Sequence, residues 1–293
     1  MKPQLGFNLL GHPKISKDGK YNYDDLMNQS HAIEMICTQI KDVYDPSKLW
    51  FRLRGGNGSQ RFSNDLFNAP LISNWERLQH TWGFKLIYTI NYNDVNDVFF
   101  YKSLVEGGLK FDAIEFGNEQ YLPKFRKTAK DDETKCVTKR TEKMNPDKYI
   151  KFTRQYIDQY FEFKLPMFIQ FAPEGKSQSP YYKTWNDAMT KIVNSDKDLH
   201  VSLHCYGNDY PYELITKIKK NTPGKVIFVT EYGATDELTH ANKLLEALDS
   251  YDCMMSHELY NDYGHGDQSV AWINDKGYTV KGATLCKRLF SNK

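Results

Sequence analysis

The sequence lacks the signatures of several protein classes. No apolar run approaches the roughly 18 residues that a membrane-spanning helix requires, and the formal net charge of the 293-residue chain is only +2. The cysteines are few, odd in number and widely spaced, with no CxxC pair: Cys37, Cys136, Cys205, Cys253 and Cys286. We therefore predict no membrane span, no nucleic-acid binding and no disulfide framework, with free thiols in a reducing environment.

Leader, cofactor and metal motifs are also missing. The N-terminus, MKPQLGFNLLGHPK, has a very short apolar stretch and no small-residue cleavage site, so we predict no signal peptide. The location stays open between the cytoplasm and a mature secreted form without its leader. His200 and His204 would share a strand face beside Cys205, but no HExxH or CxxC accompanies them. We expect no metal, no organic cofactor and a monomer.

Short apolar runs, separated by amphipathic stretches, dominate what is present. Eight runs are near-continuously apolar, which is typical of parallel strands buried on both faces. They are LGFNLL from Leu5, LWFRLR from Leu49, FKLIYTI from Phe84, FDAIEFG from Phe111, PMFIQFA from Pro166, LHVSLHCY from Leu199, KVIFVT from Lys225 and YDCMMSHEL from Tyr251. This alternation predicts one (β/α)8 TIM barrel over residues 1–293. A doubly wound open sheet is the alternative, but no GxGxxG follows the first run.

Helical stripes lie between these runs. One stripe contains Leu26, Ile33, Ile36, Ile40 and Val43, another Tyr149, Phe152, Tyr156, Ile157 and Tyr160, and a third Leu238, Ala241, Leu244, Leu245 and Leu248. Asn145-Pro146 is typical of an N-cap followed by proline at the first helical position. The segment from Asn221 to Gly224 should end the sixth helix.

Active sites of such barrels lie at the carboxyl ends of the strands. The polar or aromatic residues there are Arg52, Arg54, Asn57, Asn91, Tyr92, Asn118, Glu119, Glu174, His204, Tyr206, Glu231, Tyr232, His257 and Glu258. Two carboxylates stand out, because Glu119 directly follows the fourth run and Glu231 the seventh. The two side chains can face each other across the barrel mouth. One could then protonate a leaving oxygen while the other attacks an anomeric carbon or activates water.

Neighbouring side chains suit this chemistry. Asn118 could bond a sugar hydroxyl. Arg52 or Arg54 could hold the ionised Glu231, and Tyr206 could donate to it. Glu115 would share the inward face with Glu119, so it would need a cationic partner inside the barrel, such as an arginine from strand two.

The motifs IEFGNEQ and VIFVTEYG resemble glycoside hydrolase clan A, the retaining (β/α)8 enzymes with two catalytic glutamates. The resemblance implies that Glu119 is the acid/base and Glu231 the nucleophile. It also implies that Arg52 or Arg54 is the strand-two arginine, and that His204 and Tyr206 are the pair after strand six. FRLRGGNGS and EFGNEQYL are most similar to heparanase-like and xylosidase-like branches.

One departure from the clan concerns strand eight. In many members a tryptophan at this position forms the floor of the subsite that holds the cleaved sugar. This chain instead has Ser256-His257-Glu258-Leu259-Tyr260. We consider Tyr260 and Trp272 as substitutes for that tryptophan, and Glu258 as a partner for a sugar hydroxyl.

The expected partner is a poly- or oligosaccharide. Residues 124–143 contain eight Lys/Arg and four Asp/Glu, which fits either a solvated loop or a patch for an anionic polysaccharide. The alternative function is a catalytically silent barrel that binds glycan as a recognition module. The sequence determines neither the sugar nor the linkage.

Overall fold

Eight strands form the central element of the fold. A computed structural model describes residues 4–9, 14–15, 21–22, 24–53, 69–92, 96–121, 145–173, 180–206, 212–233, 251–256, 258–260, 271–274 and 276–290. The strands are β1 (Gln4–Leu9), β2 (Trp50–Leu53), β3 (Lys85–Thr89), β4 (Ala113–Glu115), β5 (Met167–Phe171), β6 (Leu199–Tyr206), β7 (Ile227–Gly233) and β8 (Cys253–Ser256). Each one lies within or directly beside an apolar run of the sequence.

The strands close into a parallel barrel. Each strand pairs in parallel with the next one along the chain, beginning with β1 and β2. The pairing of β8 with β1 closes the ring. The prediction of a (β/α)8 barrel is therefore confirmed, and the open doubly wound sheet is excluded because such a sheet has two free edges.

Helices cover the outside of the barrel. Those described are α1 (Asp24–Ile40), α2 (Ala69–Trp82), α3 (Asp97–Glu106), α4 (Pro146–Tyr160), α5 (Pro180–Ser195), α6 (Tyr212–Asn221) and α7 (Val280–Phe290). Asn145 caps α4 as predicted, because its Oδ1 accepts from the Lys148 N–H at 2.9 Å. The α6 helix ends at Asn221, also as predicted. The stripe at 238–248 lies outside the described residues.

Two small sheets and two 3-10 turns accompany the barrel in the described residues. Lys14–Ile15 pairs antiparallel with Tyr21–Asn22. After β8, strands β9 (Glu258–Tyr260), β10 (Ala271–Asn274) and β11 (Gly277–Tyr278) form a three-stranded sheet. Single 3-10 turns occupy Pro46–Lys48 and Phe161–Phe163.

The barrel interior changes character along its axis. Its lower half, the apolar layer, consists of Trp50, Ile87, Ala113, Phe168, Phe228, Cys253 and Met255. One step further along the strands lies the polar layer, in which every residue is buried: Asn8, Arg52, Thr89, Glu115, Gln170, Ser202 and Thr230. Branched apolar side chains usually fill a barrel interior, so a buried polar layer indicates a functional site above it.

The described cysteines Cys37, Cys205, Cys253 and Cys286 are all free and buried. Burial raises the pKa of the Cys37 and Cys286 thiols to about 12. Within the described part of the chain, no helix is both long and apolar enough to cross a membrane.

A buried carboxylate fixes the start of α3. Asp97 is fully buried, and its Oδ2 accepts from Tyr88 Oη at 2.9 Å and from Tyr160 Oη at 3.1 Å. It thereby ties α3 to β3 and to α4, and its charge lies at a helix N-terminus, where an anion is favourable.

We expect Asp97→Ala to lower the free energy of unfolding by about 3 kcal/mol, since two buried hydroxyls lose their acceptor. Urea denaturation measures this loss. Asp187→Ala, at an exposed position of α5, is the control and should change stability little. Equal losses in the two variants would contradict the prediction.

Candidate active site

Glu119 reaches the barrel mouth through a tight turn after β4. Gly117 has a φ of 81° and Glu119 a φ of 49°. A Cβ at Gly117 would lie 3.0 Å from the ring of Tyr92, so both the conformation and the space favour glycine there. Glu119 itself holds a left-handed conformation that non-glycine residues rarely adopt, which is typical of functional positions.

A β-bulge in β7 directs Glu231 into the barrel. Leu203 pairs with Val229, but the next residue of β6, His204, pairs with Glu231, so Thr230 is an extra residue. The β8 pairing is displaced over the same interval. Because successive strand residues normally point to opposite faces, only the bulge allows both Thr230 and Glu231 to point inward.

Arg52 bonds four buried polar residues of the site. Its Nε donates to Glu115 and its Nη1 to Glu231. Its Nη2 donates to Asn118 Oδ1 at 2.9 Å, and Nη1 also lies 3.3 Å from Asn8 Oδ1. Arg52 thus donates to Glu231, as predicted for an arginine of strand two, and the fork geometry of its guanidinium accounts for the several simultaneous bonds.

Glu115 has the cationic partner that the sequence required. Besides the Arg52 contact, it accepts from Thr230 Oγ1 at 2.7 Å and from Thr89 Oγ1 at 3.3 Å. The expectation of an arginine from strand two is confirmed. Glu115 thus lies beneath the site and orients Arg52.

His204 lies between the two candidate carboxylates. Its Nδ1 is 3.4 Å from Glu119 Oε1 and 3.5 Å from Glu231 Oε2. The imidazole is 1% exposed, the side chain of Glu231 2% and that of Glu119 13%. Glu119 is therefore the carboxylate nearer to solvent, and Glu231 is the more enclosed one.

The two candidate carboxylates are close together. Ligating atoms of Glu119, His204 and Glu231 all lie within 4.8 Å of one another. This spacing falls near the roughly 5–5.5 Å of retaining glycosidases and below the roughly 6.5–9.5 Å of inverting ones. The same three residues could hold a divalent cation, although the positive charge of Arg52 on Glu231 opposes it.

Among the residues that the structure describes, no other group of three metal-ligating side chains comes together. His200 lies one strand level below Ser202, where its Nδ1 accepts from Val226 N–H at 3.4 Å. Four residues along a strand separate His200 from His204, about 13 Å. Cys205 pairs with Tyr232 on the outward face, so these three residues do not converge.

Charge and burial act together on the site. Burial disfavours the charged form of Arg52, but attraction to Glu115 and Glu231 outweighs it, and the pKa of the guanidinium is raised. Burial also raises the pKa of Tyr121 well above its usual value, and the charges of Glu119 and Glu231 add to this effect. Tyr121 therefore keeps its proton beside the two carboxylates.

Three predicted binding residues point elsewhere. Tyr92 stacks on Tyr149 of α4, with ring centroids 5.4 Å apart, and its hydroxyl bonds Thr153 Oγ1 at 2.6 Å. Tyr232 is outward and lies in the cluster between the barrel and the helices. The same cluster contains Trp272, which is 2% exposed and bonds outward-facing Ser256 at 2.9 Å. The structure thus places all three among packing residues and does not bring them together with Glu119 and Glu231.

The remaining predicted residues fall into three groups. Asn91 is buried and continues the inward alternation of Ile87 and Thr89, and Asn118 is bonded to Arg52 as described above. Arg54, Asn57, Glu174, His257 and the segment 124–143 lie outside the described residues. Tyr206 ends β6, and Glu258 and Tyr260 are the first and last residues of β9.

Sequence reasoning missed several residues that shape the site. Asn8, Thr89 and Thr230 bond Arg52 or Glu115. The signal for Asn8 and Thr89 was an isolated polar residue inside an apolar strand run, and Thr230 ends such a run beside Glu231. Tyr149 was read only as part of the apolar stripe of α4, although its hydroxyl bonds the backbone of β4 and β5.

Comparison with known proteins gives similarity of fold. No family model matches the sequence, and no curated protein matches it. Solved structures of similar fold include a GH1 beta-glucosidase from Exiguobacterium antarcticum B7, with 13% identity, coverage of 99% of each chain and a TM-score of 0.57. A GH128 exo-beta-1,3-glucanase from Aureobasidium namibiae has 12% identity, 97% and 95% coverage and a TM-score of 0.55.

A GH128 endo-beta-1,3-glucanase from Lentinula edodes is similar at 10% identity, with 96% and 98% coverage and a TM-score of 0.54. At such identities the likeness shows the fold, and barrels of this kind support many chemistries. What the chain shares with these three glycosidase structures is a closed (β/α)8 barrel that spans nearly its whole length.

Proposed function

We propose that the protein is a retaining glycoside hydrolase that cleaves β-glycosidic bonds of an oligo- or polysaccharide. The observation that carries this proposal is the pairing of Glu119 and Glu231 within 4.8 Å at the barrel mouth. A spacing of this order leaves room for a covalent glycosyl intermediate but not for an additional water between carboxylate and sugar.

The environments of the two carboxylates support different roles. Arg52 donates to Glu231, which stabilises its anionic form, and an anion is what a nucleophile requires. Glu119 is nearer to solvent, so it can exchange a proton with water and with a departing group. We therefore assign Glu231 as the nucleophile and Glu119 as the general acid/base.

The reaction proceeds in two displacements. In the first, a carboxylate oxygen of Glu231 bonds to the anomeric carbon while the glycosidic C–O bond breaks, and Glu119 gives its proton to the leaving oxygen. In the second, Glu119 takes a proton from water, whose oxygen bonds to the anomeric carbon as the ester to Glu231 breaks. The anomeric configuration is retained, and Glu119 ends protonated as it began.

The surrounding polar groups assist binding. Asn118, fixed by Arg52 through its Oδ1, presents its amide beside Glu119 and is suited to a sugar hydroxyl. His204 Nδ1 lies 3.4 Å from Glu119 and 3.5 Å from Glu231, so the imidazole is placed to orient the two carboxylates. Asn91 supplies a further inward polar group at the mouth.

A neutral β-glucan is the preferred substrate class in this proposal. The three similar structures are named as glucanases or a glucosidase, and the positive charge of Arg52 is already shared by Glu115 and Glu231. An anionic polysaccharide, bound through residues 124–143, is the second candidate and depends only on the charge of that segment.

A substrate panel tests the proposal. The protein is incubated with β-1,3- and β-1,4-linked glucans, aryl β-glucosides, xylan and heparan sulfate, and reducing ends are measured. Proton NMR of the first product then reports its configuration, and we expect the β-anomer. Initial formation of the α-anomer would contradict retention, and glycan binding without release of reducing ends would favour the silent recognition module.

A further inference from the structure

The ladder between β4 and β5 is interrupted at its carboxyl end. Phe116 N–H donates to Phe168 C=O at 2.9 Å, as in a regular parallel ladder. The next rung of such a ladder would join Gln170 N–H to Phe116 C=O. Instead Gln170 N–H donates to Tyr149 Oη at 3.2 Å, and Tyr149 Oη donates to Phe116 C=O at 2.7 Å.

The hydroxyl of Tyr149 therefore occupies the position of one rung. It comes from α4, and Tyr149 is fully buried. Burial raises the pKa of this hydroxyl well above its ordinary value, so it keeps the proton that it donates to Phe116. The hydroxyl oxygen thus bridges Gln170 N–H and Phe116 C=O, two groups that would bond each other directly in a regular ladder.

Two aromatic neighbours pack against the Tyr149 ring. Tyr92 stacks against it at an interplanar angle of 18°, and the Trp185 ring lies 4.9 Å away. Trp185 Nε1 also donates to Gln170 C=O at 2.9 Å. The ring has little freedom to withdraw, so the separation of the strand ends is built into the packing.

The turn that carries Glu119 starts at this separation. Phe116 immediately precedes Gly117, and the ring of Tyr92 lies against Gly117. Further along, Gln120 N–H lies 3.4 Å from Gln170 Oε1, and Gln120 Nε2 lies 3.3 Å from Asn118 C=O. The left-handed conformation of Glu119 is therefore supported from β5 and α4 together.

We infer that Tyr149 is a positioning residue: its hydroxyl, inserted between Phe116 and Gln170, determines where the chain leaves β4 and thereby places Asn118 and Glu119. The catalytic consequence rests on the proposed function, whereas the structural consequence does not. Without the hydroxyl, Phe116 C=O and Gln170 N–H either lose their partner or bond each other directly, and either change moves the turn.

The test compares Tyr149→Phe with Tyr160→Phe. Both tyrosines are buried on α4. Each substitution removes one buried hydroxyl together with the hydrogen bonds that this hydroxyl makes. Tyr160 Oη bonds Asp97, remote from the β4 turn, so Tyr160→Phe controls for lost stability. Wild type and both variants are assayed with phenyl β-glucoside and 2,4-dinitrophenyl β-glucoside.

The two substrates separate acid catalysis from the rest of the reaction. Phenolate requires protonation as it leaves, whereas dinitrophenolate leaves without it. A displacement of Glu119 by about 1 Å should lower kcat/KM on the phenyl substrate about 100-fold in Tyr149→Phe, with a much smaller loss on the dinitrophenyl substrate. Equal losses on both substrates, or the same pattern in Tyr160→Phe, would overturn the assignment.

Crystal structures of wild type and Tyr149→Phe provide a measurement that does not depend on activity. We expect the carboxylate of Glu119 to move away from His204, with Phe116 C=O and Gln170 N–H drawing together. An unmoved Glu119 would refute the inference. If wild type cleaves neither glucoside nor any panel substrate, the proposed function fails, while the crystal structures still decide the role of Tyr149.

Discussion

Replacing Glu231 with glutamine should lower turnover by about 10⁴-fold or more while leaving the fold intact. Glutamine has nearly the same shape, but it cannot attack the anomeric carbon as an anion. It can still accept from Arg52 at its amide oxygen, so the bond recorded to Oε1 can persist. The measurement is kcat on the best substrate of the panel, with circular dichroism to verify folding.

Glu162→Gln is the matched control for this substitution. Glu162 pairs with Lys102 at 2.8 Å, and its side chain is 58% exposed, so the change should leave kcat unaltered. Near-normal hydrolysis by Glu231→Gln would remove Glu231 from the nucleophile role. Loss of activity in both variants would point to a general effect of handling or folding.

Azide distinguishes the two glutamates by stereochemistry. In Glu231→Ala, azide can take the place of the missing carboxylate and should give an α-glycosyl azide from an activated β-glycoside. In Glu119→Ala, azide should instead attack the glycosyl intermediate and give the β-product. The reverse pairing of products with variants would exchange the two assignments.

Arg52→Met should be the most damaging substitution for stability. It leaves Glu115 and Glu231 buried without their shared cation, and removal of one partner from a buried ion pair costs about 3–5 kcal/mol. Urea denaturation at neutral pH measures the loss, and kcat should fall by about 100-fold because Glu231 and Asn118 lose their orientation. Arg77→Met is the control, since Arg77 is 55% exposed and lies 3.7 Å from Glu34.

The pH dependence of this variant has a definite sign. A carboxylate that is buried without a cation gains stability by taking up a proton, whereas the same group in the unfolded chain stays ionised. The folded variant then binds more protons than the unfolded chain, so its free energy of unfolding falls as the pH rises. The deficit relative to wild type should therefore shrink toward acidic pH.

A double variant separates charge from packing. Adding Glu115→Gln to Arg52→Met removes one of the two unpaired charges and should recover part of the lost stability. No recovery would show that the damage comes from lost packing of the guanidinium rather than from buried charge.

The sequence predicted the strands well because they are long apolar runs with clear boundaries. Their order along the chain also predicted which strand ends would meet at the mouth, and thus Glu119 and Glu231 as a pair. Glu115 was identifiable as a buried charge from its spacing of four residues before Glu119. All of these inferences depend on local pattern and on the regular geometry of a barrel.

Residue orientation at the strand ends was less predictable. Tyr92, Tyr232 and Trp272 are aromatic and near the mouth in sequence, yet all three pack outside the barrel. Inward and outward faces alternate with a period of two, so an error of one residue at a strand end reverses the side on which a residue lies.

By itself the sequence determined the eight-strand barrel, the cap of α4 and the two carboxylates, because apolar periodicity and capping chemistry are local. Only the tertiary structure decided that Arg52 holds Glu115, Asn118 and Glu231 together, and that a bulge at Thr230 turns Glu231 inward. The same holds for Tyr149, which replaces a rung between β4 and β5. These features arise from register between strands and from contacts between residues far apart in the chain, neither of which a local pattern contains.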